Sequence, residues 1–376
     1  MDAIATRLGG WAVRRPARAL LYLLLALAGL TACSKPQREF HDTQLIFGTL
    51  VETTLYDVDA ATADKAFAIL REDFGYLHFM WHPWQPGPLA RTNELLALTA
   101  WFSANPSVLP VIERSRELSP KSHYLFNPAI GRLVELWGFH SDELPTGPPP
   151  DPRAIATLVR QNPTIDDIVI EGVRMKSTNP AVKLDVGAMA KGLAIDTEIE
   201  MLRKLGIRNA IINAGGDLKV LGRRGDRPWR VGIRHPRQPG VLAALDVHDG
   251  EAVFTSGDYE RYYEYRGRRY HHILDPRTGY PADRSISVTV IHPDAATADA
   301  AATALFVAGP DEWLAVAGDM ELRYVMLMDK QGRIHMTPAM AERLRFRDPP
   351  GTVLLGEPLR QNRAPEHAPG VQDQRE

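Results

Sequence analysis

The sequence contains one cysteine, Cys33, in 376 residues. A single thiol excludes a disulfide-stapled scaffold and a cysteine-rich zinc or iron–sulfur site. A hydrophobic core must therefore hold the fold together, and 44% of the residues are hydrophobic. The 29 glycines and 29 prolines predict many turns and argue against an all-helical bundle. The formal net charge of −2 gives no electrostatic reason to expect a nucleic-acid partner.

Cys33 ends an N-terminal segment that has the pattern of an export signal. Basic residues come first, and an uncharged apolar run follows over residues 19–32. This run is shorter than the about 20 residues that a membrane-spanning helix needs. Its ending, LTAC over residues 30–33, resembles a bacterial lipobox, in which the cysteine is lipidated. We therefore predict a signal peptide over residues 1–32 and a lipid anchor at Cys33, on the periplasmic side of a bacterial membrane.

The rest of the chain divides into three parts by composition. Residues 33–43 form a polar spacer, residues 44–347 carry the secondary-structure signals, and the proline-rich residues 348–376 are expected to be disordered. In the middle part, a strand is predicted over 45–57 and a helix over 60–79. Long helices mixed with adjacent hairpins predict an α+β fold, with antiparallel sheets flanked by helices.

An alanine-rich helix predicted over residues 296–307 carries one acid and one alcohol at helical spacing. Asp299 and Thr303 are four residues apart, so they share one face of this helix. A carboxylate and a hydroxyl are hard oxygen ligands that suit Mg²⁺. Taken alone, the pair is better explained as a solvated acid and a threonine bonded to the previous turn. The small neighbouring side chains, however, allow another group to approach the helix closely.

Segment 183–192 joins a predicted strand to a helix predicted over residues 192–205. The positive end of a helix favours an anion, and Lys191 could neutralise a phosphate there. The segment has neither the Walker pattern nor the dinucleotide fingerprint, so nucleotide binding by those routes is unsupported. The short stretches 215–217 and 256–258 are interpreted as turns.

Two adjacent histidines, His271 and His272, end a predicted strand. Neighbouring residues of a strand point to opposite faces, so these two rings do not easily chelate one metal together. One of them can therefore face a site and act as an acid or base, while the other is expected to see solvent.

The order of the motifs is more informative than any one of them. They are FGT (47–49), FNPAIG (126–131), WGF (137–139), LDVGAMAKG (184–192), NAGGD (213–217), TSGDY (255–259), HILDPRTG (272–279) and ADAAATA (298–304). This succession closely resembles the ApbE family of FAD:protein FMN transferases. The resemblance covers about residues 45–336 and extends to the lipoprotein leader.

The resemblance implies a T-fold-like enzyme that holds FAD in a cleft. Such an enzyme uses Mg²⁺ to cleave the pyrophosphate, transfers FMN to a threonine hydroxyl and releases AMP. The implied acceptor is the flavoprotein subunit of a membrane redox complex. The implied metal ligands are Asp299, Thr303 and the backbone oxygen of Ala188, and His272 is the implied activator of the acceptor hydroxyl. The implied FAD contacts are Phe47, Leu125, Phe126, Asn127, Asp185, Lys191 and Ile273.

One departure and two alternatives accompany this interpretation. Asn127 stands where the family usually has aspartate, which removes one carboxylate from the site. The same residues would serve an FAD pyrophosphatase that gives FMN and AMP, and a periplasmic lipoprotein that binds FAD without chemistry is the third hypothesis. The presence of Asp299, Thr303 and His272 favours an enzyme over a passive binder. The interpretation fails if Asp299 and Thr303 point away from any cavity or are embedded in a dry core.

Overall fold

The structure is a computed structural model that describes residues 38–141 and 143–359. Within these residues, the part from Glu39 onward forms one compact unit. The described strands are β1 (Glu39–Ile46), β2 (Thr49–Tyr56), β3 (Phe102–Ser103), β4 (Ile168–Glu171), β5 (Arg174–Ser177), β6 (Ala210–Ala214), β7 (Asp217–Leu221), β8 (Trp229–Arg234), β9 (Val241–Val247), β10 (Ala252–Gly257), β11 (Tyr262–Tyr265), β12 (Arg268–His271), β13 (Ser285–His292), β14 (Tyr324–Asp329), β15 (Ile334–Met336), β16 (Arg345–Phe346) and β17 (Val353–Leu355). The described α-helices are α1 (Ala60–Trp81), α2 (Pro88–Leu96), α3 (Leu109–Lys121), α4 (Gly131–Leu136), α5 (Pro152–Gln161), α6 (Ala190–Lys204), α7 (Ala295–Asp319) and α8 (Pro338–Arg343).

A sheet of nine strands organises the described fold. Its order is β1-β2-β6-β7-β10-β13-β14-β15-β17, and every neighbouring pair is antiparallel except β15 with β17. Three small sheets accompany it: β11-β12, β16-β9-β8 and β3-β5-β4. The predicted α+β class with antiparallel sheets flanked by helices is confirmed.

The large sheet is covered on both faces. On one face, α6 and α7 pack against it and against each other within the largest hydrophobic cluster. A second hydrophobic cluster joins the other face to the sheet formed by β8 and β9. The central strand β13 reads SISVTVIH and is buried along seven of its eight residues, as expected for a strand covered on both sides.

The predicted strand over 45–57 is two strands. The chain reverses at Phe47 and Gly48, whose φ angles are 53° and 71°. Two central residues with positive φ form the turn that matches the twist of a two-residue hairpin. Because β1 already begins at Glu39, the spacer predicted over residues 33–43 is too long. Phenylalanine is not a residue type that favours turns, so the sequence pattern does not predict this hairpin.

Two further boundaries differ from the prediction. The helix predicted over 296–307 begins at Ala295, and α7 resumes after a non-helical residue at Gly309 that precedes Pro310. The tail predicted to be disordered from residue 348 contains β17, which pairs in parallel with β15. Backbone pairing of three residues stabilises this segment in spite of its local proline content.

Other predictions fall on parts of the chain that the structure does not describe. The signal peptide over residues 1–32, the lipidated Cys33 and the end of the tail over 360–376 lie outside the described residues. Among the helices of residues 38–141 and 143–359, none is long and apolar enough to span a membrane.

Candidate active site

The start of α6 lies directly against α7 at Asp299. The backbone N–H of Gly192 donates a hydrogen bond of 3.0 Å to Oδ2 of Asp299. A Cβ atom at Gly192 would lie 2.2 Å from the carbonyl oxygen of Ala295, so only glycine permits this contact. The two helices therefore bring segment 184–192 and the Asp299 motif, more than 100 residues apart, to one place.

Lys191 lies between two carboxylates, one buried and one partly buried. Its Nζ is 3.3 Å from Oδ2 of Asp217 and 3.6 Å from Oδ1 of Asp299. Burial raises the pKa of both acids, and the charge of Lys191 opposes this shift. Burial alone would lower the pKa of Lys191, but the two carboxylates outweigh it and raise that pKa. The lysine is therefore protonated, and one negative charge remains beyond what it compensates.

Thr303 lies one helical turn after Asp299 and contacts the large sheet. Its Oγ1 is 3.0 Å from Oγ of Ser256 in β10. Asp217, at the start of β7, accepts a 2.9 Å hydrogen bond from the backbone N–H of Thr255, which holds it beside the same strand. We call Lys191, Asp217, Ser256, Asp299 and Thr303 the polar cluster. The side-chain oxygens of this cluster belong to carboxylates and hydroxyls. Ala188, whose backbone oxygen is the third expected metal ligand, lies two residues before α6.

Asp299 and Thr303 thus have polar neighbours in the structure. Asp299 is 4% exposed, but its two oxygens meet an amide and an ammonium rather than apolar atoms. In the described residues no group of three or more histidine, cysteine, aspartate or glutamate side chains could hold a metal ion. A metal at the polar cluster would therefore depend on at most two carboxylates together with hydroxyl and carbonyl oxygens.

His272 has one ring nitrogen committed to the backbone. Its Nδ1 is 3.2 Å from the carbonyl oxygen of Arg261, and a carbonyl can only accept, so Nδ1 carries the proton. Burial, and to a smaller extent the nearby His271, lowers the pKa of His272 to about 3. The ring is therefore neutral at pH 7, and its Nε2 is the unprotonated nitrogen.

His271 has the opposite tautomer and faces the other way. Its Nε2 donates to the carbonyl oxygen of Ala282 at 2.8 Å, while its Nδ1 accepts from the N–H of Ile273 at 3.3 Å. Burial lowers the pKa of His271 to about 4. The two rings thus hydrogen-bond to different segments, and β12 ends at His271, so His272 lies just beyond the strand. The expectation that one of them sees solvent is wrong for His271, which is buried.

The positions expected to contact FAD differ in how they are placed. Asp185 is partly buried, and its N–H donates to the carbonyl of Pro128 at 2.8 Å, which ties it to the neighbouring segment. Its own Oδ1 accepts from Gly187 at 3.0 Å. Burial raises the pKa of Asp185. In contrast, the side chains of Leu125, Phe126 and Ile273 are buried in the largest hydrophobic cluster.

Phe47 and Asn127 are held by different neighbours. The ring of Phe47, in the β1–β2 turn, meets the rings of Phe74 and His78 edge-on, with centroids 6.2 and 5.3 Å apart. Asn127 donates from Nδ2 to the carbonyl of Pro163 and accepts at Oδ1 from the N–H of Ala129, each at 2.9 Å. Both ends of this amide therefore serve the local backbone.

Sequence reasoning missed two members of the polar cluster. Asp217 and Ser256 were assigned to turns, yet they contact Lys191 and Thr303. The available signal was that both stretches pair glycine with an acid at the end of a predicted strand. That signal alone does not say which strands become neighbours.

Comparison with known proteins agrees with this arrangement. The model of the ApbE family matches residues 47–326. The chain is 41% identical over 336 residues to the FAD:protein FMN transferase of Rhodobacter capsulatus, covering 89% of this chain but only 64% of that protein. It is 32% identical over 314 residues to the FAD:protein FMN transferase of Klebsiella pneumoniae, covering 82% of this chain and 94% of the relative. The crystal structure of the ApbE protein of Thermotoga maritima matches with a TM-score of 0.75 and 29% identity, over 82% of this chain and 100% of that one. This chain therefore belongs to the ApbE family of flavin-transferring enzymes.

Proposed function

We propose that this chain transfers FMN from FAD to a threonine hydroxyl of a flavoprotein, in an Mg²⁺-dependent reaction that releases AMP. The observation that carries the proposal is the polar cluster: Asp299 and Thr303, one helical turn apart, share it with Lys191. The match to FAD:protein FMN transferases supports the reaction class.

The residues of the polar cluster fit a magnesium ion. Two carboxylates face one ammonium, so the cluster has an excess negative charge that favours a cation when both acids are ionised. Carboxylate, hydroxyl and carbonyl oxygens are the hard ligands that Mg²⁺ prefers, and this ion usually takes few protein ligands because waters and phosphates complete its shell. Asp299, Thr303 and the backbone oxygen of Ala188 would hold it. When bound, the metal would withdraw charge from the pyrophosphate and from the departing AMP.

The other residues would position the substrate and move one proton. The Lys191 ammonium, which its two acids keep protonated, offers positive charge to a phosphate that approaches the start of α6. The acceptor oxygen would form a bond to the FMN phosphorus as the bond from that phosphorus to AMP breaks. The hydroxyl proton would pass to Nε2 of His272, which is unprotonated at neutral pH because burial lowers the pKa of this ring.

We also propose that the chain works on the periplasmic side of a bacterial membrane, anchored by a lipid on Cys33. The basic start, the apolar run over 19–32 and the lipobox-like LTAC support this location. The acceptor would then be the flavoprotein subunit of a membrane redox complex.

The decisive experiment incubates the purified chain with FAD, Mg²⁺ and an acceptor domain. We expect a covalently fluorescent acceptor together with AMP, and no product when EDTA removes the metal. AMP without labelled acceptor would instead identify an FAD pyrophosphatase, and FAD bound but unchanged would identify a passive binder.

A variant and a matched control test the role of Asp299. Asp299→Asn keeps the shape of the side chain but removes its charge, and we expect at least a 10²-fold loss of metal-dependent turnover, on the order of the loss of one electrostatic catalytic contact. Asp311→Asn on the same helix is the control, because Asp311 is exposed and pairs with Arg284. Equal activity of the two variants would refute the metal-binding role of Asp299.

A further inference from the structure

A cavity of about 170 Å³ lies beside the β11–β12 hairpin and contains none of the polar cluster. Arg268, Arg269 and His271 of β12 form one wall. Arg237, from the β8–β9 connection, and Lys330, from the turn after β14, form another. We call this the basic cavity. Its volume is several times the about 30 Å³ that one water molecule occupies in the liquid.

The charges around the basic cavity do not balance. Its lining contains four permanently cationic side chains, Arg237, Arg268, Arg269 and Lys330, against two acids, Asp258 and Asp283. His271 adds no charge at neutral pH, because burial lowers its pKa to about 4. The lining therefore has two more basic than acidic side chains, and Glu264, 3.4 Å from Arg269, reduces this excess to one.

One buried carboxylate holds three of these cations together. Asp258 is 1% exposed and receives both Nη atoms of Arg237 and the Nζ of Lys330, each at 2.7 Å. Arg269 lies 3.8 Å from the same carboxylate. Hydrogen bonds to these cations lower the pKa of Asp258 even though burial opposes them. Arg237, Arg269 and Lys330 converge on this carboxylate although each remains about one-third exposed.

The guanidinium groups of the hairpin are held in place by aromatic rings. Arg269 lies over the ring of Tyr262, 3.9 Å from its centroid, and Arg268 lies 5.3 Å from the centroid of Tyr270. Stacking of this kind restricts the guanidinium groups before any ligand arrives, which lowers the entropy cost of binding. Both arginines keep N–H groups for a further acceptor, because a guanidinium has five donors.

We propose that the basic cavity binds a small oxyanion of the phosphate class, either free phosphate or the phosphate of a monoester. Converging guanidinium and ammonium groups match the several acceptor oxygens and the double charge of such an anion. A neutral ligand would leave the excess charge uncompensated, and a metal cation would be repelled by it. The site uses none of the polar cluster, although His271 in its wall adjoins His272.

Calorimetric titration of the full chain with inorganic phosphate tests the proposal. The ionic strength is held constant with chloride and no divalent metal is added. We expect saturable binding that Arg268→Gln weakens about threefold, as for one exposed charge pair. Lys330→Gln should weaken it about tenfold, because Lys330 is only one-third exposed. Arg268 is exposed and β12 does not depend on it, so Arg268→Gln keeps the test valid if the lysine variant unfolds.

Arg153→Gln is the matched control, since Arg153 is exposed on α5, which contributes nothing to the cavity. Glycerol 3-phosphate as a second titrant separates the two sources: tighter binding of the ester indicates a monoester, and tighter binding of phosphate indicates the free ion. The proposal would be overturned if phosphate gave no more heat than chloride. It would also be overturned if Arg268→Gln bound phosphate as tightly as the control Arg153→Gln.

Discussion

The N–H of Gly192 donates to the carboxylate of Asp299 across 3.0 Å, at the contact between α6 and α7. This hydrogen bond exists because a glycine stands at the contact, where a Cβ atom would lie 2.2 Å from the carbonyl oxygen of Ala295. The proposed metal ligand is therefore oriented by a residue that has no side chain. The packing of α6 against α7 and the orientation of Asp299 therefore depend on the same contact.

Replacing Gly192 by alanine should disturb both the packing of the two helices and the orientation of Asp299. The added methyl group forces the helices apart, and overpacking of this kind costs about 1–3 kcal/mol of unfolding free energy. Activity should fall as well, because Asp299 loses its amide donor. Urea denaturation and the transfer assay measure the two effects. Gly75→Ala is the control: it lies in α1 with no atom within 4 Å of an added Cβ, so alanine should stabilise by about 0.5–1 kcal/mol. An unchanged unfolding free energy in Gly192→Ala would disprove the close contact.

Asn127→Asp should destabilise the protein although aspartate is usual in the family. Asn127 donates to the carbonyl of Pro163 at 2.9 Å, and a carboxylate would face that oxygen with no proton to donate. We expect a loss of about 1–2 kcal/mol at pH 7 in urea denaturation. The control is Asn105→Asp, because Asn105 only accepts, at Oδ1, from the N–H and Oγ of Ser107. Equal stability of the two variants would show that the Pro163 contact contributes nothing.

His272 should remain unprotonated far into the acid range. Its pKa in the folded chain is lowered to about 3, from an ordinary value of 6.5. The stabilisation from its neutral form is therefore complete above pH 6.5 and is lost as the pH falls towards 3. An NMR titration of the imidazole signals, assigned by their loss in His272→Gln, should show no His272 protonation between pH 7 and about pH 5. A midpoint near 6.5 would contradict the buried, neutral ring that we propose as the proton acceptor.

Glu198 should make stability depend on pH near neutrality. Its carboxyl is completely buried on α6, and neither oxygen has a hydrogen-bond partner within the described residues. Burial raises its pKa to about 8 from 4.5, and the charge of Asp73 adds to the shift. Stability is then complete below pH 4.5 and is lost as the pH rises through 8.

Glu198→Gln removes this titration while keeping the size of the side chain. At pH 8 we expect the variant to be more stable by about 1–3 kcal/mol, since each unit of pKa shift corresponds to about 1.4 kcal/mol. Thermal unfolding between pH 5 and pH 8 is the measurement. Glu200→Gln, exposed on the same helix and paired with Arg203, should leave the pH dependence unchanged. A Glu198→Gln profile parallel to that of the parent chain would refute the buried acid.

Much of the site could be predicted because its signals are local. Helical spacing alone places Asp299 and Thr303 on one face of a helix, and strand alternation alone sends His271 and His272 to opposite sides. In the structure Asp299 and Thr303 lie one turn apart on α7, whereas β12 ends at His271 and the two histidine rings hydrogen-bond to different segments. The α+β class followed in the same way, from hairpins mixed with long helices.

Residue order and spacing therefore determined the helix face that carries the acid and alcohol, the fold class and the family resemblance. Only the tertiary structure decided that Asp217 and Ser256 join Lys191 and Thr303. Their meeting depends on the antiparallel register of β7 with β10, and on the packing of α7 against that sheet. Such pairings join residues far apart in the chain, and their energy comes from burial and hydrogen bonds that no short stretch of sequence contains.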